Sequence, residues 1–346
     1  MEAHIVNYHQ YNIKYGGNRN MRKIKWGVLG TAGIARGCTI PGMQQAENCE
    51  MVAIAGRSME KAEAFRAEFG FQKAYDSYEA LLADPEIEAV YIPLPNELHC
   101  EWAVKALNAK KHVLCEKPLA PTFEEIERMI AAANENGVLL MEAFAYLHSP
   151  IVAAVKAELD AGAIGDVLYM ESAFLTSDYK LSNIRMRRET FGGCTYDLGC
   201  YCTSQILWML GEEPENVQAV AQFSDQNVDI LTTAILSFQS GKKACFQSGM
   251  LLATEQDKRI DRLQIHGTKG AIKSEVEFNQ AGELSYTLIT DAGAQVKTVS
   301  APQNYRLEVE QLGRCIAEGE KQHVTHEFTR MNARTLDRVL KEIGYK

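Results

Sequence analysis

The chain has 346 residues, 46% of them hydrophobic and 23% charged, with a formal net charge of -9. That length predicts about two domains, that composition is ordinary for a globular protein, and the acidic balance argues against nucleic acid, whose phosphate backbone is bound by clustered Lys and Arg. No apolar run approaches the roughly 18 residues of a transmembrane helix, the first residues show no basic region followed by an apolar core, and the nine cysteines form no C-x-x-C pair, so they read as reduced thiols of a cytoplasmic protein with no metal site.

Residues 1–22 are assigned to an N-terminal tail, the first twenty polar and tyrosine-rich without periodicity, with Met21 as a candidate functional start. Ile24-Lys-Trp-Gly-Val-Leu29 predicts a buried strand that flows into Gly30-Thr31-Ala32-Gly33-Ile34-Ala35, and Met51-Val-Ala-Ile-Ala55 predicts the next, which makes a βαβ unit over roughly 24–55. The dinucleotide pattern G-x-G-x-x-G/A maps as Gly30, Ala32 and Ala35, with alanine at the second glycine position. Such a site needs a tight turn, close backbone approach to a pyrophosphate near Thr31 to Gly33, and a helix N-terminus aimed at the phosphates. A glycine-rich turn without a nucleotide is the competing reading. After the second strand, a carboxylate would accept the ribose 2′-hydroxyl of NAD, but Ala55-Gly56-Arg57-Ser58 holds none. Arg57 instead offers a planar cation to the 2′-phosphate of NADP, so NADP is expected, with NAD as the alternative. An ordinary surface arginine is the other reading of Arg57.

Helices are predicted from Lys61 and from Tyr75, then a strand over 87–92 that ends in Pro93-Leu-Pro95-Asn96-Glu-Leu-His99, a crossover helix over 101–109, and a strand His112-Val-Leu-Cys-Glu116 that stops at Lys117-Pro118. These strand ends deliver Asn96, His99 and Lys117 to the carboxyl edge of the sheet, where open α/β folds bind ligands. Taken alone, Lys117 reads as a solvated lysine and His99 as a satisfied structural histidine. Thr122 with Glu125 has capping-box spacing and opens a helix to about Gly137; a strand follows over 138–142, and Ser149-Pro150 opens another helix to about Ala161. The domain boundary is placed near residue 145.

Val-, Thr- and aromatic-rich runs at 166–176, 216–223, 229–238, 242–250, 259–266 and 283–290, punctuated by glycines, predict a largely antiparallel sheet. The fold class is therefore α/β followed by α+β. Helical patterns return over 305–317 and 331–343. Within this half, Gly192-Gly193 precedes a helical pattern in which Asp197 and Tyr201 stand four apart and share one face. They read either as a site pair or as side chains bonded to neighbouring backbone.

Trp26-Gly-Val-Leu-Gly-Thr-Ala-Gly-Ile-Ala35, Tyr75-Asp-Ser-Tyr-Glu79, Pro95-Asn96 with His99, Glu116-Lys117-Pro118, Glu142-Ala-Phe144, Asn183-Ile-Arg185, and Gly192-Gly193 with Asp197 and Tyr201 together resemble the Gfo/Idh/MocA family of NAD(P)-dependent oxidoreductases. The resemblance runs from about Lys23 to the end and is nearest to the branch of dimeric dihydrodiol dehydrogenase and NADP-dependent xylose dehydrogenase. It implies a Rossmann domain over 23–145 and an open-faced, mostly antiparallel substrate and dimerisation domain over 146–330. A C-terminal helix, 331–346, would pack on the Rossmann domain. It also implies a homodimer through the C-terminal sheet and a carbohydrate or diol substrate. Lys117 becomes the catalytic lysine, Tyr201 the general acid/base and Asp197 a third catalytic residue that fixes substrate or lysine, and Arg185, Asp197 and Tyr201 become the substrate residues. Gly30, Thr31, Ala32, Gly33, Ile34, Arg57, Ser58, Pro95, Asn96, His99, Glu116 and Lys117 become cofactor contacts, with Asn96 and His99 on the nicotinamide side. Two departures stand out: members resembling inositol dehydrogenase place histidine where this chain has Tyr201, and relatives with Glu-Ala-Phe often continue to arginine where this chain has Leu147.

The implied chemistry is hydride transfer with a coupled proton transfer. A free tyrosine titrates near 10, so Tyr201 needs a neighbouring ammonium such as Lys117 to favour its phenolate. Two rivals are a glycosidase-like enzyme that keeps its NAD, and a sugar or nucleotide sensor without turnover; the latter is marked by loss of Lys117 or Tyr201, both of which are present.

Overall fold

The computed structural model describes residues 21–177, 180–252 and 258–346. The first twenty residues of the expected tail, and part of the Lys- and Arg-rich segment 176–190, lie outside them. The described chain divides into two compact units: 21–148 with Gln303–Thr329, and Ser149–Pro302 with Arg330–Lys346.

In the first unit β1 (Ile24–Leu29), α1 (Ile40–Gln45), β2 (Cys49–Ala55), α2 (Met59–Phe69), β3 (Lys73–Tyr75), α3 (Tyr78–Ala83), β4 (Ala89–Ile92), α4 (Asn96–Asn108), β5 (His112–Glu116), α5 (Phe123–Asn136) and β6 (Leu140–Ala143) alternate. All six strands are parallel, in the order β3-β2-β1-β4-β5-β6, the doubly wound arrangement with its switch point between β1 and β4. Val28, Ile54, Val90 and Leu114 are fully buried, as strands covered on both faces must be. Each such side chain contributes about 1.5–3 kcal/mol over its exposed form. Thr122 caps α5 by accepting from the Glu125 N–H at 3.3 Å, and its hydroxyl donates to the Glu125 carboxylate. Helix α4 begins at Asn96, five residues before the expected start, because Pro95 occupies the N-cap. Asn96 and His99 therefore stand on a helix, not on the strand-end loop.

The second unit opens with α6 (Pro150–Asp160). Ser149 is its N-cap, as the Ser-Pro pair predicts, but makes no side-chain cap bond. Then come β7 (Val167–Thr176), α7 (Cys200–Leu210), β8 (Asn216–Phe223), β9 (Asp229–Ser237), β10 (Lys243–Gly249), β11 (Arg259–Gly267), β12 (Gly270–Ser274), β13 (Gly282–Thr290) and β14 (Gly293–Ala301). They form one eight-stranded sheet, β14-β13-β12-β11-β7-β10-β9-β8. Only the β7–β10 pairing is parallel; the other neighbours are antiparallel.

The chain closes with α8 (Asn304–Glu318) and α9 (His326–Glu342). The first turn of α9, His326–Thr329, belongs to the Rossmann unit, where His326 Nε2 lies 2.9 Å from the Leu140 carbonyl, but residues 331–346, expected to pack there, do not belong to it, and that expectation is corrected. Helix α8 fills that place: the Asn48 amide donates to the Glu310 carbonyl at 2.8 Å and Gln303 to the Cys38 carbonyl at 3.1 Å. From Arg330 onward the chain belongs to the sheet unit. Thr203 donates to Asn332 at 2.7 Å, Arg334 forks onto Glu213, and the Tyr345 hydroxyl donates to the Gly192 carbonyl at 2.7 Å. These polar partners, invisible to periodicity, decide where α9 settles. Among the described residues no helix is long and apolar enough to cross a membrane.

Candidate active site

In the Rossmann unit the parallel strands bring their carboxyl ends to one edge, and the expected cofactor residues follow them. Gly30 takes a φ of +129° as β1 turns, a conformation glycine adopts freely. The chain then enters a helix whose first bond runs from the Arg36 N–H to the Ala32 carbonyl, so the amides of Gly33 and Ile34 head the helix without intrahelical acceptors. A Cβ at Gly33 would meet nothing within 4 Å: the space over the turn is open. Thr31, Ala32 and Ile34 are half-buried around it. At the end of β2, Arg57 is exposed, while the Ser58 hydroxyl caps α2 by accepting from the Lys61 N–H. An open glycine turn, a helix start and an exposed guanidinium with no carboxylate beside it in sequence fit an NADP better than an NAD.

Pro95 and Asn96 head α4, and Glu116-Lys117 ends β5, with Lys117 half-buried. Glu116 is buried; one carboxylate oxygen accepts from the Tyr91 hydroxyl at 2.5 Å, and Tyr91 in turn accepts from the Thr39 hydroxyl at 2.9 Å. Burial and the Glu116 charge push the Tyr91 phenol well above its ordinary range, so it stays a donor. The other Glu116 carboxylate oxygen accepts from the Lys117 N–H at 3.3 Å.

His99 requires a correction. The ring is 0% exposed, with Nδ1 3.0 Å from the Pro118 carbonyl and Nε2 2.7 Å from the Leu94 carbonyl. It has no surface left to line a nicotinamide. It ties the ends of β4 and β5 together, the structural role that residue-level reasoning assigned it. Burial holds its pKa below the ordinary range, against the pull of the two carbonyls.

In the sheet unit Asp197 lies on a π-helical turn, Thr195–Gly199, that leads into α7 and Tyr201. Arg185 donates to Asp197 at 2.5 Å, so two expected substrate residues are joined. Gly192 and Gly193 permit this. A Cβ on Gly192 would lie 2.4 Å from the Arg185 carbonyl oxygen, and one on Gly193, at φ +109°, would lie 2.0 Å from Asp229. The Gly193 N–H donates to the Arg185 carbonyl at 2.7 Å, which folds the 183–187 turn against the start of α7.

Tyr201 is buried in an aromatic cage, its ring centroid 5.4 Å from Phe174 and 5.1 Å from Phe278. Two residues of this cage escape sequence reasoning. Asn279, in a left-handed backbone conformation at φ +64°, donates its amide to the Tyr201 hydroxyl at 3.3 Å. Arg259 lies over the Phe174 ring at 4.6 Å, forked onto Asp261, and its guanidinium interacts electrostatically with Tyr201. An Asn at a positive φ is the one local signal that marks such a residue.

Comparisons with known proteins identify the family. The model of the GFO/IDH/MocA oxidoreductase family, NAD-binding Rossmann fold, matches residues 24–144, and that of the GFO/IDH/MocA C-terminal domain matches residues 152–273. D-xylose 1-dehydrogenase (NADP(+)) 2 of Haloferax volcanii is 35% identical over 322 residues, 91% of this chain and 95% of its own. Trans-1,2-dihydrobenzene-1,2-diol dehydrogenase of Xenopus tropicalis is 30% identical over 338 residues, 92% of this chain and 98% of its own. The crystal structure of a 3-ketoreductase from Actinomadura kijaniata with NADP and TDP-benzene superposes with a TM-score of 0.87 at 30% identity, covering 93% of this chain and 98% of that one.

Proposed function

The chain belongs to the GFO/IDH/MocA oxidoreductase family, and on that premise we propose that it is an NADP-dependent oxidoreductase of a carbohydrate, a keto-sugar or a vicinal diol. The observation that carries the cofactor assignment is the carboxyl edge of the six-stranded sheet. There an open glycine turn and an exposed Arg57 stand where a carboxylate would select NAD. The nicotinamide, when bound, supplies the hydride chemistry. Thr31 to Ile34 present backbone amides to the pyrophosphate, Arg57 and Ser58 take the adenosine end, and Pro95, Asn96 and Glu116 shape the nicotinamide end.

Tyr201 exchanges the proton of the substrate hydroxyl. Asn279 and Arg259 favour its phenolate, and Lys117 supplies a cation to the reacting oxygen. Asp197, held by Arg185, accepts hydrogen bonds from substrate hydroxyls. The names of the relatives, which pair NADP with D-xylose in one and with a 3-ketoreductase in another, support a polyhydroxylated substrate. The exposed Val220 and Ile235 on β8 and β9 support a homodimer through the eight-stranded sheet, and we place the enzyme in the cytoplasm. A panel of aldopyranoses, keto-sugars and vicinal diols, read by NADPH absorbance, tests the reading. Turnover with at least one is expected; a cofactor that is never converted with any of them, and that returns unchanged after glycoside cleavage, contradicts it.

A further inference from the structure

The Lys117-Pro118-Leu119 turn is held at three backbone atoms by buried side chains from three elements. Glu116 of β5 accepts from the Lys117 N–H at 3.3 Å, Nδ1 of His99 on α4 faces the Pro118 carbonyl at 3.0 Å, and Glu142 of β6 accepts from the Leu119 N–H at 2.9 Å. The second oxygen of Glu142 accepts from the Thr329 hydroxyl, at the start of α9, at 2.8 Å. Glu142 is 4% exposed. A carboxylate is suited to this place because both its oxygens accept, and bonds to an ionised acceptor are about twice as strong as neutral ones; a glutamine offers one acceptor only.

We propose that Glu142 is a positioning residue for Lys117, its carboxylate gripping the Leu119 amide and braced by Thr329 so that the turn from which the lysine projects is fixed. The inference rests on Lys117 being the catalytic lysine. The titratable groups that face Glu142 are Cys115 and Glu116 of β5 and Lys117 just after it; α9 contributes the Thr329 hydroxyl, and its His326 lies with Nε2 2.9 Å from the neighbouring Leu140 carbonyl. Burial raises its pKa to about 7, against the two donated bonds and the Lys117 charge and with the Glu116 charge. The folded value lies above the ordinary one, so the grip of the ionised form is complete above about pH 7 and weakens as pH falls through it. Its contribution to stability runs the other way: it is present at low pH and lost as pH rises through about 7.

Hydrogen exchange over segment 117–122, corrected for intrinsic rates, requires no substrate. Protection is expected to be about fivefold higher at about pH 8 than at about pH 6 in the wild type, and low at both in Glu142→Gln. Turnover should show an acid limb near pH 7 that is missing in Glu142→Gln, whose kcat at about pH 8 drops about tenfold, to the wild-type acid plateau. Thr329→Val keeps the carboxyl but removes a donor, so its limb moves up. A Glu142→Gln protein with wild-type protection and an unchanged limb overturns the proposal, as does a limb that stays put in Thr329→Val. Lys117→Ala isolates the underlying reading: normal turnover there removes the lysine from catalysis, while the exchange result still decides the grip.

Discussion

Asn279→Gly removes the amide that donates to the Tyr201 hydroxyl and leaves the backbone unstrained, since glycine takes the φ of +64° freely. The bond is 3.3 Å long, beyond the usual 2.7–3.2 Å range, which places it at the low end of the roughly 1.5–3 kcal/mol of a hydrogen bond to a charged group. About 1.5 kcal/mol corresponds to about one pKa unit, or about tenfold in the fraction of phenolate below that pKa. The pH profile of kcat for alcohol oxidation should therefore move up by about one unit, with kcat about tenfold lower on the acid side and KM for NADP unchanged. Asn279→Asp, which sets a like charge beside the phenolate, should move the limb further. A folded Asn279→Gly enzyme with an unshifted profile and wild-type kcat refutes the tuning of Tyr201 by this amide.

Arg57→Ala should weaken NADP far more than NAD in direct binding measurements; equal losses remove the 2′-phosphate assignment. Gly192→Ala, whose Cβ would lie 2.4 Å from the Arg185 carbonyl, should destabilise the fold by about 1–3 kcal/mol and raise the substrate KM by parting Arg185 from Asp197; a variant with wild-type melting and KM argues against that packing. Glu308 on α8 is fully buried, with neither carboxyl oxygen partnered among the described residues, and burial, with the Glu116 charge, raises its pKa well above the ordinary range. It therefore folds carrying a proton that the unfolded chain releases above about pH 4.5, and its contribution to stability falls as pH rises from there toward the folded pKa. Denaturant melts of Glu308→Gln should show a stability gain over wild type that grows by about 1.4 kcal/mol per pH unit in that window; a gain that does not vary with pH contradicts the assignment.

Five of the six strands of the doubly wound half were legible, because parallel strands covered on both faces are written as continuous apolar runs; β3, three half-buried residues Lys73-Ala-Tyr75, was not, and the helix expected from Tyr75 begins at Tyr78. The eight-stranded sheet was legible only where burial alternates. Strand β14 exposes its first four residues, Gly293-Ala-Gln-Val296, and β12 is five residues between turns, so neither carries the apolar signal of a strand. Lys117, Asp197 and Tyr201 stand out through motif and spacing. Asn279 does not, since its partner Tyr201 is 78 residues away and only the folded sheet joins them. His99 shows the opposite failure. A motif placed it beside the cofactor, whereas its two nitrogens are spent on backbone carbonyls. Glu142 and Glu308 look in sequence like any helix or strand carboxylate; burial gives them their chemistry.

The claim that joins these features is that the Tyr201 phenol moves the substrate proton. Turnover of Tyr201→Phe, measured by NADPH absorbance on the best substrate of the panel, tests it most directly. The account predicts a kcat lower by roughly 10²- to 10⁴-fold with NADP affinity nearly unchanged; a folded variant that turns over at close to the wild-type rate contradicts it.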